Sequence, residues 1–264
     1  MDEQTAAYKN THLNSDLTFD TLVTGRANEL ARAAAQQVAT TLGDSYNPLF
    51  VYGGVGTGKT HLIHAIGNQA YAANSTLEVR YVHSQDYVSD VARAYQQSSH
   101  DAFIREYCSL DLLLIDDIQF FNGKDRTQEE FSYVFNALVG ARKQVVIAGD
   151  TCPKDVQGLE ERLVSRFEQG LTITIGSPEL EMRIAILRSK AAAELVQIAD
   201  DVFMHIAMRL GSNVRELEGA LNRVIAHARF YGCEINFDAA KEALAGFRGA
   251  ANLQVAVSSA PTSP

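Results

Sequence analysis

The sequence predicts an α/β protein with a five-stranded parallel sheet, helices on both faces of that sheet, and a small helical domain at its C-terminal end. Two observations support this fold class. Five short apolar runs alternate with helical patterns, and strand patterns stop after Gly176 while helical patterns continue to Phe247. Buried strands that are separated by helices form parallel sheets covered on both faces. The five runs are 49–52, 79–83, 112–115, 145–148 and 171–175.

Changes in composition along the chain predict four segments. Residues 1–16 are polar and lack a periodic apolar pattern, and residues 249–264 are rich in Ala, Ser, Thr and Pro. We therefore expect both ends to be flexible. Between them we place an α/β domain at 17–176 and a helical domain at 177–248.

The bulk composition limits the classes of function. With 264 residues and 46% hydrophobic residues, the chain is long and apolar enough to form a packed interior. The net charge of −9 argues against a surface that coats nucleic acid or anionic lipid, so any nucleic-acid contact must be local. Cys108, Cys152 and Cys233 are far apart in sequence, which predicts neither a disulfide framework nor a zinc site. No apolar run approaches the roughly 20 residues that cross a bilayer, and we expect a cytoplasmic protein.

The segment 53–60 carries the most specific short motif. Its sequence Gly-Gly-Val-Gly-Thr-Gly-Lys-Thr fits the phosphate-binding loop G-x-x-x-x-G-K-[ST], and it lies between an apolar strand and an amphipathic helix. In such loops the backbone N–H groups and the helix N-terminus hold phosphate oxygens. Lys59 is expected to neutralise the outer phosphates, and the Thr60 hydroxyl to ligate Mg²⁺. The residues expected to contact the nucleotide are Gly54, Gly56, Thr57, Gly58, Lys59, Thr60 and His61.

Carboxylates follow two later strands of the predicted sheet. The apolar run 112–115 ends in Asp116 and Asp117, the form of a Walker B segment. Asp116 is expected to hold Mg²⁺, and Asp117 to orient or deprotonate the water that attacks the terminal phosphate. Helix capping is the alternative role for such residues, but a phosphate loop about sixty residues upstream favours one shared site. Asp150, after the run 145–148, is a catalytic candidate that senses the terminal phosphate or positions the water, and a turn residue before Pro153 is the alternative.

With these segments the chain resembles the AAA+ ATPase region of the bacterial replication initiator DnaA family, from about residue 17 to residue 247. The most specific segments are Asp-Asp-Ile-Gln-Phe-Phe at 116–121 and Ser-Asn-Val-Arg-Glu-Leu-Glu-Gly at 212–219. The resemblance implies a P-loop fold of AAA+ type with a helical lid, and ATP and Mg²⁺ as cofactors. It also implies slow hydrolysis that works as a switch, ATP-dependent head-to-tail self-assembly, and contact with other replication-initiation proteins.

The resemblance assigns roles to four further residues. Arg166 looks like the arginine finger that reaches the ATP of a neighbouring subunit, with Arg162 beside it in the same interface. Arg215 looks like the sensor arginine of the helical lid, which contacts the bound nucleotide. Asn28 is carried over to the adenine pocket. From composition alone, each arginine would be an ordinary solvated residue.

The resemblance also bears on DNA. The insertion 85–107 is similar to the helical pair that holds single-stranded DNA in the family, but its charges are mixed and it lacks a basic excess. Lys124 and Arg126 match the family's strand-contacting positions, and Arg93 is a third candidate; a solvated loop is the alternative for them. About sixteen residues follow Phe247, which is too short for a helix-turn-helix, so no sequence-specific duplex binding is expected from this chain.

Three functions remain in competition. The first is an ATP-binding, oligomerising module of a replication initiator, with hydrolysis slowed or altered because Gly149 stands where the family usually carries a hydroxyl residue. The second is an Hda-type regulatory AAA+ protein that stimulates hydrolysis by the initiator. The third is a helicase-loader-like ATPase, which shares both nucleotide motifs. The segment 212–219 counts against the third function, and the segment 116–121 favours the first.

Overall fold

One five-stranded parallel sheet organises the α/β part of the chain, as the sequence predicts. Its strand order is β2-β3-β4-β1-β5, with every neighbouring pair parallel. The strands are β1 (Leu49–Tyr52), β2 (Val79–His83), β3 (Leu112–Asp116), β4 (Gln144–Gly149) and β5 (Leu171–Thr174). Each of the five predicted runs coincides with a strand to within a residue at either end, so the predicted fold class is confirmed.

The computed structural model describes residues 3–211 and 213–247, and these residues form eleven α-helices. The helices are α1 (Glu3–Asn10), α2 (Glu29–Thr40), α3 (Lys59–Ala73), α4 (Ser84–Gln96), α5 (His100–Cys108), α6 (Asp125–Gly140), α7 (Glu161–Phe167), α8 (Leu180–Ala193), α9 (Asp200–Arg209), α10 (Val214–Tyr231) and α11 (Phe237–Ala243). Short 3₁₀ helices lie at Ile118–Phe121 and Pro153–Asp155. Among the described residues, no helix is long and apolar enough to cross a membrane.

Alternate residues along the strands belong to two hydrophobic cores, one on each face of the sheet. Leu49 and Val51 face α2 and α3, whereas Phe50 between them faces α4, α5, α6 and α7. The same alternation occurs on β3, where Leu113 and Leu114 belong to opposite cores. Because successive strand side chains point to opposite faces, a strand covered on both sides is apolar at every position.

The chain divides into two units that are not separated by a single boundary. Residues 3–22, 28–54 and 58–176 belong to the first unit in the described part of the chain. Of the described residues, the second unit contains 177–211 and 213–247 together with the short segments 23–27 and 55–57. The predicted boundary at 176–177 separates the main parts of the two units, whereas these two short segments were not predicted.

Residues 3–16, part of the segment that we expected to be flexible, include a helix and hydrogen bonds to the rest of the first unit. Residues from Glu3 form α1, and Tyr8 Oη donates a hydrogen bond of 2.6 Å to Asn68 Oδ1 on α3. The Tyr81 N–H at the edge strand β2 donates to Thr11 O at 2.8 Å. A polar segment without apolar periodicity is thus held by hydrogen bonds to the first unit, which local composition does not reveal. The tail 249–264 lies outside the described residues.

The helices of the second unit pack around their own core. Residues of α8, α9, α10 and α11 form a hydrophobic cluster that includes Leu187, Ile206 and Leu221. Asn213 caps α10, since its Oδ1 accepts the Arg215 N–H at 2.9 Å. Ser212, the other residue of N-capping type before this helix, lies outside the described residues.

Candidate functional site

The carboxyl ends of four neighbouring strands meet at one edge of the sheet and carry the predicted site. β1 leads into the phosphate loop, β3 ends at Asp116, and β4 is followed by Asp150. β2 ends at His83, which is paired in register with Asp116. Lys59 and Asp150, 91 positions apart in sequence, are in direct contact here. Ligands of open α/β sheets bind at this edge.

Two glycines give the phosphate loop its backbone shape. Gly56 has φ +73° and Gly58 has φ +99°, a region that side chains disfavour. Gly58 is the N-cap of α3, so the helix begins at Lys59 and the N–H groups of its first turn point out of the helix end. This end of the helix dipole is positive and suits an anion.

Lys59 is a buried cation surrounded by oxygen atoms. The residue is 6% exposed, and its Nζ donates to Gly53 O at 2.7 Å, Gly54 O at 3.0 Å and Asp150 Oδ1 at 2.9 Å. An ammonium group has three donors, and each of them here has an acceptor. The structure therefore holds the positive charge at the loop in a fixed position.

Asp116 and Thr60 form an oxygen pair beside this lysine. Thr60 Oγ1 donates to Asp116 Oδ2 at 2.7 Å, and Tyr81 Oη donates to the same oxygen at 3.2 Å. Asp116 is 1% exposed, and this burial raises the pKa of its carboxyl group. A hydroxyl and a desolvated carboxylate are ligand types that Mg²⁺ takes, and a cation would offset the cost of burying the charge. The residues present fit a magnesium ion held by Thr60 and Asp116.

Asp117 is held by two neighbours in a left-handed backbone conformation. Its φ and ψ are 57° and 52°, which is uncommon for a residue other than glycine. His83 Nε2 lies 2.9 Å from Asp117 Oδ2, and Gln119 Nε2 donates to Asp117 Oδ1 at 3.0 Å. The Gln119 amide also donates to Asp150 Oδ2 at 2.9 Å. A network thus joins both carboxylates that the sequence analysis placed in catalysis.

The hydrogen bonds of His83 indicate its tautomer. Its Nδ1 accepts the Gln85 N–H at 3.3 Å, so the ring proton of the neutral form lies on Nε2 and is donated to Asp117. His83 was not among the predicted site residues, and no role was predicted for Gln119. His83 could have been predicted as a site residue because it ends the second predicted strand, just as Asp116 and Asp150 were predicted because they follow predicted strands.

Two other predicted nucleotide contacts lie in the first unit. The imidazole of His61 is engaged with the N-terminal segment, since its Nε2 is 2.9 Å from Thr18 O and 3.2 Å from Thr21 Oγ1. A contact between His61 and a phosphate therefore rests on its backbone N–H alone. Asn28 is buried at the N-terminus of α2, and its side chain does not cap that helix.

The second unit carries Arg215 and the middle of the phosphate loop. Arg215 is exposed on the first turn of α10. The Val214 N–H donates to Gly56 O at 2.9 Å, and a Cβ atom on Gly56 would lie 1.9 Å from Asn213 Oδ1. This close approach adds a second reason for glycine at position 56, beyond its positive φ.

Arg166 and Arg162 lie on α7 and are exposed. Arg162 pairs with Glu160, while Arg166 makes a weak contact of 3.4 Å with Gln169 Oε1. α7 precedes β5, the strand at one lateral edge of the sheet. Arg166 is therefore presented to solvent at the side of the first unit.

The three candidate DNA-contacting cations lie in different surroundings. Arg93 on α4 is paired with Asp90 at 2.8 Å. Lys124 and Arg126 lie at the start of α6 and are exposed. The Arg126 guanidinium lies over the ring of Tyr95, 4.4 Å from the ring centroid. Of the three candidates, Arg93 is thus the one whose charge is offset by a neighbouring carboxylate.

Comparison with known proteins identifies relatives of this chain. Residues 13–174 match the family model of the bacterial DnaA ATPase domain. A chromosomal replication initiator protein DnaA from Azoarcus sp. (strain BH72) is 64% identical over 251 residues, which are 95% of this chain and 52% of that protein. The chain spans about half the length of the curated relatives it matches.

Two solved structures are similar over most of the chain. The crystal structure of domain III from the Thermotoga maritima replication initiation protein DnaA has a TM-score of 0.85 at 36% identity, covering 89% of this chain and 98% of that one. A replication initiator DnaA bound to AMPPCP and single-stranded DNA has a TM-score of 0.74 at 31% identity, covering 88% and 80%. The family model and these similarities agree with the loop, strand and carboxylate arrangement described above, and the chain belongs to the bacterial DnaA ATPase domain family.

Proposed function

We propose that this chain is the ATP-binding, oligomerising module of a bacterial replication initiator. The observation that carries the proposal is the single cluster formed by Lys59, Thr60, Asp116 and Asp117 at the carboxyl edge of the sheet. It combines a cation for phosphates, an oxygen pair for Mg²⁺ and a carboxylate for the attacking water. Membership of the DnaA ATPase domain family supports the same function.

ATP binding in this proposal exchanges the partners of Lys59. The Nζ atom bonds two loop carbonyls and Asp150, and phosphate oxygens take over these positions because a charge-assisted bond to phosphate is stronger than one to a carbonyl. Asp150 then loses its cation while it keeps its bond from Gln119. Asp150 thereby senses whether a phosphate occupies the loop.

Hydrolysis is assigned to Asp117 and is slow. Asp117 orients or deprotonates the water, and Mg²⁺ supplies charge stabilisation at the phosphates when it is bound. A side chain at position 149 would be tightly packed, because a Cβ atom on Gly149 would lie 3.0 Å from Ile118 Cγ2 and 3.3 Å from Phe50 Cζ. The site therefore lacks one polar group beside the terminal phosphate, which suits a switch that resets slowly.

Self-assembly and contact with single-stranded DNA complete the proposal. Exposed Arg166 is the finger that engages the ATP of the next subunit. Lys124 and Arg126 contact the strand, with a smaller contribution from the paired Arg93. A similar initiator structure contains AMPPCP and single-stranded DNA together, which favours this function over an Hda-type regulator.

Sedimentation of the purified chain tests the proposal directly. We expect large assemblies with ATP, monomers with ADP, and retention of oligo(dT) only in the assemblies. The measurement is analytical ultracentrifugation with each nucleotide, with and without the oligonucleotide. ATP-bound monomers that ignore oligo(dT) would contradict the initiator module and favour the regulatory protein.

Replacement of His83 tests the assignment of hydrolysis to Asp117. His83→Ala is expected to lower the single-turnover hydrolysis rate by about 10- to 100-fold, because a small displacement of a reacting group costs this much. ATP affinity should stay unchanged, since His83 contacts Asp117 and not Lys59. The measurement is release of phosphate from pre-bound ATP.

His83→Gln provides the matched control. Its amide can donate to Asp117 and accept from Gln85 N–H, as the imidazole does. We expect this variant to hydrolyse ATP faster than His83→Ala. Equal rates in wild type and His83→Ala would remove the positioning role.

A further inference from the structure

Four side chains from three helices form a connected cluster away from the nucleotide site. Arg126 on α6 stacks on Tyr95 of α4, and Tyr95 Oη donates to Glu130 Oε1 on α6. His100, the first residue of α5, lies 2.8 Å from Glu130 Oε2 through its Nε2. The rings of Tyr95 and His100 are 5.0 Å apart. The two carboxylate oxygens of Glu130 thus join the end of α4 to the start of α5.

Glu130 is the anchor of this cluster. The residue is 8% exposed, and a carboxylate at that depth needs hydrogen-bond donors. His100 Nε2 lies within hydrogen-bond distance of Glu130, and its other nitrogen, Nδ1, lies 3.6 Å from Asp101 Oδ1, so both ring nitrogens face carboxylates. The hydrogen bond to Glu130 raises the pKa of His100. Tyr95 supplies the second donor, which fixes the plane of its ring.

Because the Tyr95 ring is fixed, it restricts the conformations of the Arg126 side chain that stacks on it. An exposed arginine loses rotamer entropy when it is held for a ligand, and stacking on an aromatic face removes part of that cost before binding. Within the described residues Arg126 forms no ion pair, in contrast to Arg93 and its partner Asp90. The stacked guanidinium keeps its charge available for an anion.

We propose that Tyr95, held by Glu130 and His100, is a positioning residue that presents the Arg126 guanidinium to the phosphates of a single-stranded nucleic acid. The inference rests on the proposed strand contact of Arg126 and adds the residue through which that contact is prepared. It also changes the role of the insertion 85–107. The insertion contributes through an aromatic ring that orients a cation on α6, and its own lack of a basic excess is then no obstacle to binding.

The test compares oligo(dT) binding by four variants in the presence of ATP. Tyr95→Leu removes the ring, Arg126→Ala removes the cation, the double variant removes both, and Tyr95→Phe keeps the ring but loses the bond to Glu130. Fluorescence anisotropy at several salt concentrations gives the affinity and the salt slope. Tyr133→Leu is the matched control, because Tyr133 is a tyrosine on α6 that is 61% exposed, compared with 38% for Tyr95.

We expect Tyr95→Leu to weaken binding by about two- to fivefold, the range for an exposed cation–π contact. Arg126→Ala should lower the salt slope by about 0.7, the value for one phosphate contact on a single strand. Tyr95→Leu should also lower the salt slope of oligo(dT) binding when Arg126 is present. In the Arg126→Ala background, Tyr95→Leu should leave the salt slope unchanged. Tyr95→Phe should stay closer to wild type than Tyr95→Leu does.

Thermal unfolding and ATP affinity of each variant separate positioning from loss of structure. If Tyr95→Leu does not fold, Tyr95→Gln removes the ring with another good helix former and gives the same comparison. The inference would be overturned if Arg126→Ala weakened oligo(dT) binding while Tyr95→Leu did not. It would also be overturned if Tyr95→Leu weakened binding by the same factor in the wild-type and Arg126→Ala backgrounds. Wild-type protein that fails to bind oligo(dT) would overturn the strand contact itself, and this inference with it.

Discussion

Lys59→Ala is expected to weaken ATP binding by at least about 30-fold, because removing one partner of a buried, hydrogen-bonded charge pair costs about 2–5 kcal/mol. The reason lies in the geometry of the loop. Lys59 Nζ is held against Gly53 O, Gly54 O and Asp150 together. Without it the loop offers the phosphates backbone N–H groups and the helix N-terminus but no cation of its own. Isothermal titration calorimetry of both proteins with ATP measures the difference.

Lys143→Ala is the matched control for that variant. Lys143 pairs with Asp111, so the control also breaks one lysine–aspartate ion pair. The two residues precede β4 and β3, at the amino edge of the sheet, whereas Lys59 and Asp150 lie at the carboxyl edge. ATP affinity should be unchanged in this control. Wild-type affinity in Lys59→Ala itself would remove the nucleotide role of the loop.

The strands were predictable because each is fixed by residues that are adjacent in sequence. The run Leu112 to Ile115 is apolar at every position, and the structure buries every one of these side chains between two layers of helices. A motif such as the phosphate loop is equally local, since a strand, glycines and a helix start must follow each other. The order of the strands in the sheet depends instead on contacts between segments that are far apart in sequence.

His83 illustrates a contact that depends on strand order and therefore could not be predicted from the sequence. Its contact with Asp117 exists because β2 lies next to β3, and the sequence places 28 residues between those strands. Because His83 ends a predicted strand, its position could have indicated a site residue. The sequence could not have indicated that its partner is Asp117. Gln119 is a similar case, because its link between Asp117 and Asp150 depends on the neighbouring ends of β3 and β4.

Charge counting alone does not describe the insertion 85–107. Arg93 and Arg105 are outnumbered there by acidic residues, so the segment has no basic excess. The sequence could not show that Tyr95 would lie under Arg126, because the two residues belong to different helices. Composition reports how much charge a segment carries, whereas the contact between α4 and α6 decides where one cation is held.

Arg166→Ala is expected to abolish ATP-dependent assembly at concentrations where the wild-type chain assembles. Loss of a buried interfacial charge contact costs about 2–5 kcal/mol, which raises the assembly midpoint by at least about 30-fold. Binding of ATP to the monomer should be unaffected, because Arg166 is exposed on α7 and its guanidinium contacts Gln169, which is not part of the nucleotide site. Light scattering with ATP measures assembly, and calorimetry measures monomer binding. Arg166→Lys should recover little, since an ammonium group lacks the planar fork of the guanidinium.

Arg105→Ala distinguishes a specific finger from a general loss of positive charge. Arg105 is also exposed, but its helix α5 lies at the other lateral side, where Glu106 pairs with Arg80 on the edge strand β2. In a head-to-tail assembly the finger meets the nucleotide at the carboxyl edge of the neighbouring sheet. Arg105 lies near the end of α5 that leads into the amino end of β3, so its loss should not affect the midpoint. If Arg105→Ala and Arg166→Ala weaken assembly equally, net charge governs association and the finger role is lost. If only Arg166→Ala does so while its ATP affinity stays intact, the charge acts across the subunit boundary on the neighbouring nucleotide.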